Sequence, residues 1–389
     1  MRLAQSMNRL GTETAFEVLA RARALEAQGR EVVHLEIGEP DFDTPSNVVE
    51  AAVKALRSGQ THYTPSPGIP ELRELVAREV ARTRGISVTP DQVVVTPGAK
   101  PIMFFTILAL CEPGDEVIYP NPGFPIYESM INFVGARPVP APLRESRQFR
   151  LDVDEVAGLF SDRTRLVIVN SPHNPTGGVL EKSDLERLAE QAIKHDSVIL
   201  SDEVYSRMIY EGEHHSIASF PGLAERTIVL DGFSKTYAMT GWRLGYGVFP
   251  PELAPHISRL VTNSVSCTPG FTQSAGIEAL TGPQDEPARM VAEFRKRRDL
   301  LVAGLNQIPG LHCEMPAGAF YAFPNVQGVG LDCHEFADKL LYEGGVATLA
   351  GTSFGKYGEG FIRLSYANSI PNLEKALDRI DTVVRKLHK

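Results

Sequence analysis

The chain has 389 residues, of which 43% are hydrophobic and 22% charged, a composition typical of a globular protein long enough for two domains. The net charge of −9 argues against nucleic-acid binding, and the basic run Arg295–Arg298 lies on a helical pattern that predicts a solvated face. The four cysteines form no C-x-x-C pair, which argues against a zinc site or a disulfide framework. No apolar run suggests a signal peptide or a membrane span, so we expect a reducing cytoplasm.

Short β-rich runs alternate with amphipathic helices from about Val48 to Leu280. This alternation predicts a mostly parallel sheet with helices on both faces. Two helix starts are indicated, with Thr44 as N-cap before Pro45 and with a capping box at Ser183–Glu186. Six strands are predicted at residues 93–95, 116–119, 166–169, 198–201, 227–230 and 245–248.

The pattern changes after about Gly282. A long helix is predicted from Arg289 to Gln307, and short strands follow around Ala319–Phe323. The last segment has apolar residues at helical spacing from Leu373 to Leu387. These elements predict a second, smaller α+β domain.

Polar segments follow five of the predicted strands. In open parallel sheets, ligands bind at the carboxyl ends of the strands. Taken alone, each segment also fits an ordinary turn or helix cap, whereas their common position favours one shared site. The segments are residues 96–100, 122–127, 171–177, 201–205 and 234–246.

The segment Thr96–Lys100 opens an apolar helix and contains Gly98. Glycine allows main-chain amides to approach a phosphate, and a helix N-terminus favours an anion. Arg363 lies inside the apolar run Phe361–Ser365, where a buried guanidinium requires an anionic partner. A carboxylate would satisfy it through two parallel hydrogen bonds.

Lys235 lies just beyond the apolar run 227–230 and is followed by small and aromatic residues. A lysine in such surroundings loses solvation, and its neutral amine becomes a nucleophile toward an aldehyde. Ser234 and Arg243 are suited to hold a phosphate. Together these residues indicate a site for imine-linked pyridoxal phosphate (PLP).

The segment Ser234–Gly245 resembles the lysine signature S-K-x-(several)-G-x-R-x-G of class I and II aminotransferases, which are fold-type I PLP enzymes. The resemblance extends from Gly38–Phe42 to Arg363–Tyr366, and it is strongest to bacterial aspartate aminotransferases and their broad relatives. It implies an α/β large domain, residues 46–284, with a mostly parallel seven-stranded sheet between helices. A small α+β domain, residues 285–389, would pack with the N-terminal segment 1–45.

The resemblance also implies a role for each matching residue. The groups expected to act in catalysis are Lys235, Asp202 and Tyr205. The residues expected to bind PLP are Gly98, Ala99, Lys100, Phe124, Asn174, Asp202, Tyr205, Ser234, Lys235, Arg243 and, across a homodimer interface, Tyr63. The residues expected to bind the substrate carboxylate are Gly38, Asn174 and Arg363.

The implied activity is a two-step transamination between an α-amino acid and a 2-oxo acid. A PLP-dependent lyase of the C–S lyase type would share every motif, and only its products would distinguish it. A ligand-sensing regulator with this fold would need a DNA-binding segment, for which we see no spare residues. Glu17 falls near a small neutral residue of enzymes for acidic substrates, so its carboxylate would repel a dicarboxylate unless it is simply solvated.

Overall fold

A seven-stranded sheet forms the centre of the computed structural model, which describes residues 1–387, and its strand order is β2-β8-β7-β6-β5-β3-β4. The strands of the chain are β1 Val33–His34, β2 Val93–Thr96, β3 Glu116–Asn121, β4 Arg137–Pro142, β5 Thr164–Asn170, β6 Val198–Asp202, β7 Thr227–Gly232, β8 Gly245–Val248, β9 Tyr321–Ala322, β10 Val346–Ala347, β11 Leu349–Ala350 and β12 Ile362–Ser365.

Helices cover the central sheet and form much of the remaining chain. They are α1 Ala15–Glu26, α2 Ser46–Arg57, α3 Pro70–Arg84, α4 Lys100–Leu110, α5 Pro125–Val134, α6 Val153–Ala157, α7 Lys182–Lys194, α8 Ala254–Ser264, α9 Gly270–Thr281, α10 Asp285–Leu305, α11 Cys333–Lys339 and α12 Ile370–Leu387. Within residues 1–387, none of these helices has the length and apolar character needed to cross a membrane.

The central sheet is parallel except for β8, which runs antiparallel to both β2 and β7. The predicted α/β class with a mostly parallel sheet is therefore confirmed. Asn170 at the end of β5 pairs with Asp202 at the end of β6, and Asp202 pairs with Leu230 of β7. The register thus brings the polar ends of three neighbouring strands to one edge, which is where ligands bind in such sheets.

The pattern of residues located six of the seven central strands, and the one it missed is β4. This strand lies at the edge of the sheet and pairs only with β3. Its sequence, Arg137–Pro142, has proline at every second position. Proline lacks the amide hydrogen that a central strand must donate, so it is tolerated at an edge but obscures the strand signal.

Both predicted helix starts are displaced by one or two residues in the structure. Helix α2 begins at Ser46 with Pro45 as its N-cap, and the Thr44 hydroxyl donates to the Ala238 carbonyl oxygen at 2.6 Å instead. Helix α7 begins at Lys182, where the Glu181 amide donates to Asp184 Oδ2 at 3.0 Å. The capping box therefore lies two residues before the predicted one.

The two ends of the chain meet in a smaller α+β region. Strand β1 pairs in parallel with β10, with Val33 opposite Val346, and β11, β12 and β9 form an antiparallel sheet. Leu35 belongs to the same apolar core as Phe336 of α11 and Val384 of α12. This packing joins the N-terminal segment to the C-terminal helices, whereas the domain boundaries 1–45, 46–284 and 285–389 stay a prediction.

The basic run Arg295–Arg298 is solvated at Arg295 and Lys296, as expected, but the expectation was wrong for Arg297 and Arg298. Arg297 and Arg298 are 6% and 3% exposed. Arg297 Nη1 donates to Asp41 Oδ1 at 2.6 Å, and Arg298 Nη1 donates to the Pro316 carbonyl oxygen at 2.8 Å. Asp41 thus balances the charge of Arg297, and Asp299, 2.7 Å from Arg298 Nη2, balances that of Arg298, which composition alone does not reveal.

Candidate active site

A cavity of about 510 Å³ opens at the carboxyl ends of β5, β6 and β7. It lies between the central sheet and residues of the small region, as expected for an open parallel sheet. Eleven of the predicted site residues line it: Gly38, Ala99, Lys100, Phe124, Asn174, Asp202, Tyr205, Ser234, Lys235, Arg243 and Arg363.

Lys235 follows β7 and points into this cavity, where its Nζ donates to the Gly38 carbonyl oxygen at 2.6 Å. Burial lowers the pKa of Lys235 to about 8, although the negative charges of Glu39 and Glu13 act in the opposite direction. A much larger share of the amine is therefore neutral near pH 7–8 than for a solvated lysine. A neutral amine of this kind can attack an aldehyde or accept a proton.

Asp202 ends β6 and presents a buried carboxylate to the cavity. Burial raises the pKa of Asp202 to about 6, while hydrogen bonds from the Tyr127 hydroxyl and the Val204 amide oppose this shift. The Tyr127 hydroxyl donates to Asp202 Oδ2 at 2.6 Å. A carboxylate held in this way is suited to pair with a protonated ring nitrogen.

Tyr205 and Tyr321 form a second polar pair in the cavity, with 2.6 Å between their hydroxyl oxygens. Burial raises the pKa of Tyr205 well above its usual value, so the hydroxyl stays neutral and remains a hydrogen-bond donor. Gly38 lies against this pair, and a Cβ at this position would overlap the Tyr321 hydroxyl. The close approach therefore requires glycine.

The turn before α4 forms a cradle for an anion. Gly98 has a φ of +84°, and a Cβ there would overlap the Arg243 guanidinium. Among residues 1–387, the main-chain amides of Gly98, Ala99 and Lys100 donate no hydrogen bond to the protein. These amides and the helix N-terminus suit a phosphate, with Arg243 beside them. The Lys100 side chain is occupied elsewhere, since its Nζ contacts Glu13 Oε2 at 2.6 Å.

Arg363 in β12 is 4% exposed and lies between the rings of Tyr321 and Phe354, 4.7 and 4.9 Å from their centroids. Its Nη1 donates to Asn174 Oδ1 at 3.3 Å, and its Nη2 donates to the Glu36 carbonyl oxygen. Within the described chain, its Nε has no partner, and its other two nitrogens contact an amide oxygen and a carbonyl oxygen rather than a carboxylate. A buried guanidinium without such a partner calls for an anion in the cavity.

Phe124 forms part of the apolar wall. Its ring packs edge-on against Tyr127, with 5.6 Å between centroids, and Lys100 Nζ lies 5.3 Å from its centroid. The ring also lines the cavity, so it offers an apolar surface to a flat ligand.

Of the residues singled out from the sequence, Gly98 borders the cavity at Arg243 without lining it, and Tyr63 and Glu17 lie outside it. Tyr63 is 89% exposed, and Glu17 is exposed on α1. Of the two interpretations of Glu17, the structure therefore supports the solvated one, and Glu13 and Phe16 line the cavity instead. Glu13 lies in residues 10–13, which belong to no helix or strand. The sequence of this segment therefore has no regular spacing that would predict which of its side chains point inward.

Sequence reasoning also missed polar residues of the cavity. Tyr127 lies in the marked segment 122–127, and Tyr321 lies in the predicted strand region Ala319–Phe323. Asn170 falls between the predicted strand 166–169 and the segment 171–177, and Glu13 has no such signal. Asn170 is the last residue of β5 and lies one residue beyond the predicted strand 166–169, and its side-chain amide nitrogen donates to the Pro172 carbonyl oxygen at 3.2 Å. Position at a strand end was thus a usable signal for Asn170.

The residues present fit PLP. The desolvated amine of Lys235 suits its aldehyde, the buried carboxylate of Asp202 suits its ring nitrogen, and the cradle at Gly98 suits its phosphate. Each of the three groups faces or borders the same cavity. One small molecule could therefore contact all of them.

Comparisons with known proteins agree with this fit. Residues 30–380 match the family model for aminotransferase class I and II, and the chain belongs to this family. It is 42% identical to an aspartate aminotransferase of Pyrococcus abyssi over 92% of each chain. It is 41% identical to an arginine–pyruvate transaminase of Pseudomonas aeruginosa, covering 94% of this chain and 93% of that protein. The solved aspartate aminotransferase of Thermus thermophilus with maleate has a TM-score of 0.94 and 40% identity, covering 98% of this chain and all of that one.

The protein is a PLP-dependent aminotransferase of fold type I. The family resemblance, the fold, the enzyme class and the cofactor predicted from the sequence are thereby confirmed. The alternative of a lyase finds no support among these relatives.

Proposed function

We propose that this enzyme transfers the amino group of an α-amino acid to a 2-oxo acid at the cavity that contains Lys235. The observation that carries the proposal is Arg363, a buried guanidinium without a carboxylate partner in the described chain, which faces the same cavity as the desolvated lysine. Both substrate types carry a carboxylate beside the reacting carbon. A single guanidinium fork can therefore bind either of them.

PLP, when bound, supplies a protonated ring that stabilises negative charge developing at the substrate carbon. Lys235 would hold the cofactor and, once released as a free amine, move a proton at that carbon. Its pKa of about 8 lies near physiological pH, where a general base is most effective. Burial thus prepares this lysine for both tasks.

Asp202 would keep the ring nitrogen protonated, and the hydrogen bond from Tyr127 holds its carboxylate in place. Tyr205 and Asn174 would donate to the phenolic oxygen of the cofactor, and Phe124 would pack on its ring. The cofactor phosphate would bind to the main chain of Gly98, Ala99 and Lys100 and to the side chains of Ser234 and Arg243.

Arg363 and Asn174 would bind the substrate carboxylate, together with the main chain at Gly38. Fixing this group orients the bond from hydrogen to the α-carbon, which favours loss of the proton over loss of carbon dioxide. The contact of Arg363 with the Glu36 carbonyl restrains the guanidinium before substrate arrives. Such restraint reduces the entropy cost of binding.

The same proposal includes a homodimer in the cytoplasm, in which Tyr63 completes the active site of the second subunit. Tyr63 is 89% exposed in this chain and lies outside its own cavity. A large aromatic side chain in that position is suited to a partner surface.

The test is to reduce the purified enzyme with borohydride and to map the modified peptide. We expect the cofactor to be fixed on Lys235, with Lys235→Ala as the unlabelled control. Incubation with an amino acid and a 2-oxo acid should yield a new amino acid rather than free ammonia. Labelling of Lys100, or release of ammonia in step with substrate loss, would contradict the proposal.

A further inference from the structure

We infer that Glu13 determines substrate specificity by neutralising Lys100, so that the end of the cavity which receives the substrate side chain disfavours acidic groups. This inference rests on the proposed function, because it assumes that Arg363 binds the α-carboxylate. The enzyme would then prefer α-amino acids with uncharged side chains to aspartate or glutamate.

The geometry places an ion pair on the cavity wall. Glu13 lies in the segment before α1, and Lys100 is the first residue of α4. Their side chains meet at 2.6 Å between Oε2 and Nζ and are 22% and 48% exposed. Both residues line the cavity, and within residues 1–387 Glu13 is the acidic partner found for Lys100. The N-terminal segment thus brings a negative charge to a position where α4 presents a positive one.

The remaining cavity cations already have roles in the proposed function. Lys235 and Arg243 serve the cofactor, and Arg363 serves the α-carboxylate. The Lys100 ammonium is therefore the cation available to a second carboxylate on the substrate. Glu13 already pairs with this ammonium. An acidic substrate side chain would therefore have to displace the Glu13 carboxylate from Lys100 and stay close to it, and two neighbouring negative charges repel each other.

The surroundings of this ion pair suit an uncharged side chain. Four apolar residues line the same cavity as the pair, namely Ala15, Phe16, Ile37 and Met103. A second acid of the cavity, Glu39, is already engaged by the Thr240 hydroxyl. An apolar substrate side chain would bury surface against this wall without separating the pair.

The charge of Glu13 also reaches the reacting groups. Burial lowers the pKa of Lys235 and of Arg363, and the negative charge of Glu13 opposes that shift at both residues. Glu13 lines the cavity and is 22% exposed, so its charge acts on both groups from the cavity wall. A carboxylate near the same groups would therefore experience its repulsion.

The experiment measures binding of two unreactive carboxylates to the PLP-loaded enzyme by titration calorimetry. Maleate represents a dicarboxylate, and 4-methylvalerate represents an uncharged side chain. We expect the parent to prefer 4-methylvalerate. Glu13→Gln should strengthen maleate binding about fivefold, as for loss of one partly exposed charge, and change 4-methylvalerate binding by less than about twofold.

Two further variants isolate the cause. Glu13→Gln combined with Lys100→Gln should lose the gain in maleate binding, because the freed ammonium is then absent. Glu17→Gln is the matched control, since Glu17 lies in the neighbouring helix α1, is exposed and does not line the cavity. It should leave the binding of both ligands unchanged.

Unchanged maleate binding in Glu13→Gln would overturn the inference, as would an equal gain in Glu17→Gln. Arg363→Lys separates this failure from failure of the proposed function. If Arg363→Lys leaves 4-methylvalerate binding intact, the assumed carboxylate site is wrong. If it weakens 4-methylvalerate while Glu13→Gln has no effect on maleate, only the role of Glu13 is wrong.

Discussion

Replacement of Arg363 by lysine should weaken catalysis for every substrate that carries an α-carboxylate, in both half-reactions. The guanidinium has two nitrogen atoms bound to the protein, at Asn174 and Glu36, and presents a planar fork toward the cavity. A lysine ammonium keeps the charge, but its single nitrogen cannot hold these partners and a carboxylate in the same geometry.

The expected magnitude follows from the hydrogen bonds that the substitution removes. A hydrogen bond to a charged group contributes about 1.5–3 kcal/mol, so loss of one prong should lower kcat/KM by about 10- to 150-fold. Loss of the packing between Tyr321 and Phe354 adds to this reduction. Amines without a carboxylate should be poor substrates of the parent, and the substitution should change their kcat/KM by less than about twofold, since they cannot bind the guanidinium in this way.

The assay compares single-turnover rates of the parent and variant with an α-amino acid, with its 2-oxo acid and with the corresponding amine. Arg298→Lys is the matched control. Arg298 is 3% exposed, lies 5.0 Å from the Tyr210 ring centroid and donates to a carbonyl oxygen, but it lies outside the cavity. Arg298→Lys should show any general loss of stability caused by replacing a buried arginine, but it should still prefer the α-amino acid to the corresponding amine as the parent does.

The reasoning would be refuted if Arg363→Lys discriminated against the amine as strongly as the parent does. An equal reduction of kcat/KM in Arg298→Lys would also refute it, because the effect would then be structural. In either case another group must bind the carboxylate.

Three further predictions concern the same cavity. Asp202→Ala should lower the transamination rate by about 10²-fold or more, because the ring nitrogen of PLP loses its buried counter-charge. Its circular dichroism spectrum and its PLP binding should stay like those of the parent. Turnover at the rate of the parent would show that another group keeps the ring protonated. Mixing inactive Lys235→Ala with inactive Tyr63→Phe should restore part of the activity, since a hybrid dimer has one site with both lesions and one with neither; no recovery despite subunit exchange would argue against a shared site. In the apoenzyme, capture of PLP should accelerate as pH rises through about 8, where Lys235 loses its proton, and a midpoint near the solvated value of 10.5 would show that the amine is not desolvated.

Local sequence determined six of the seven central strands and several of the charged residues that line the cavity. Continuous apolar runs such as 166–169 and 227–230 are typical of strands buried on both faces, and the polar residues after them must then lie at one edge. Asp202 and Lys235 were found in this way, because each stands at or just beyond the end of such a run. Arg363 was found by contrast, as a charge within an apolar strand.

Tertiary structure decided which residues meet across distant parts of the chain. The bond from Tyr127 to Asp202 joins α5 to β6, and the pair of Tyr205 and Tyr321 joins residues 116 positions apart. Neither contact leaves a periodic signal, because it depends on how whole elements pack.

The N-terminal segment shows the same limit most clearly. The sequence left Glu17 as either a specificity residue or a solvated one. In the structure α1 exposes Glu17, and the segment before α1 brings Glu13 to Lys100, 87 residues away. Charge alone is the same for both glutamates. Only the packed path of the chain distinguishes the one that faces solvent from the one that faces the cavity.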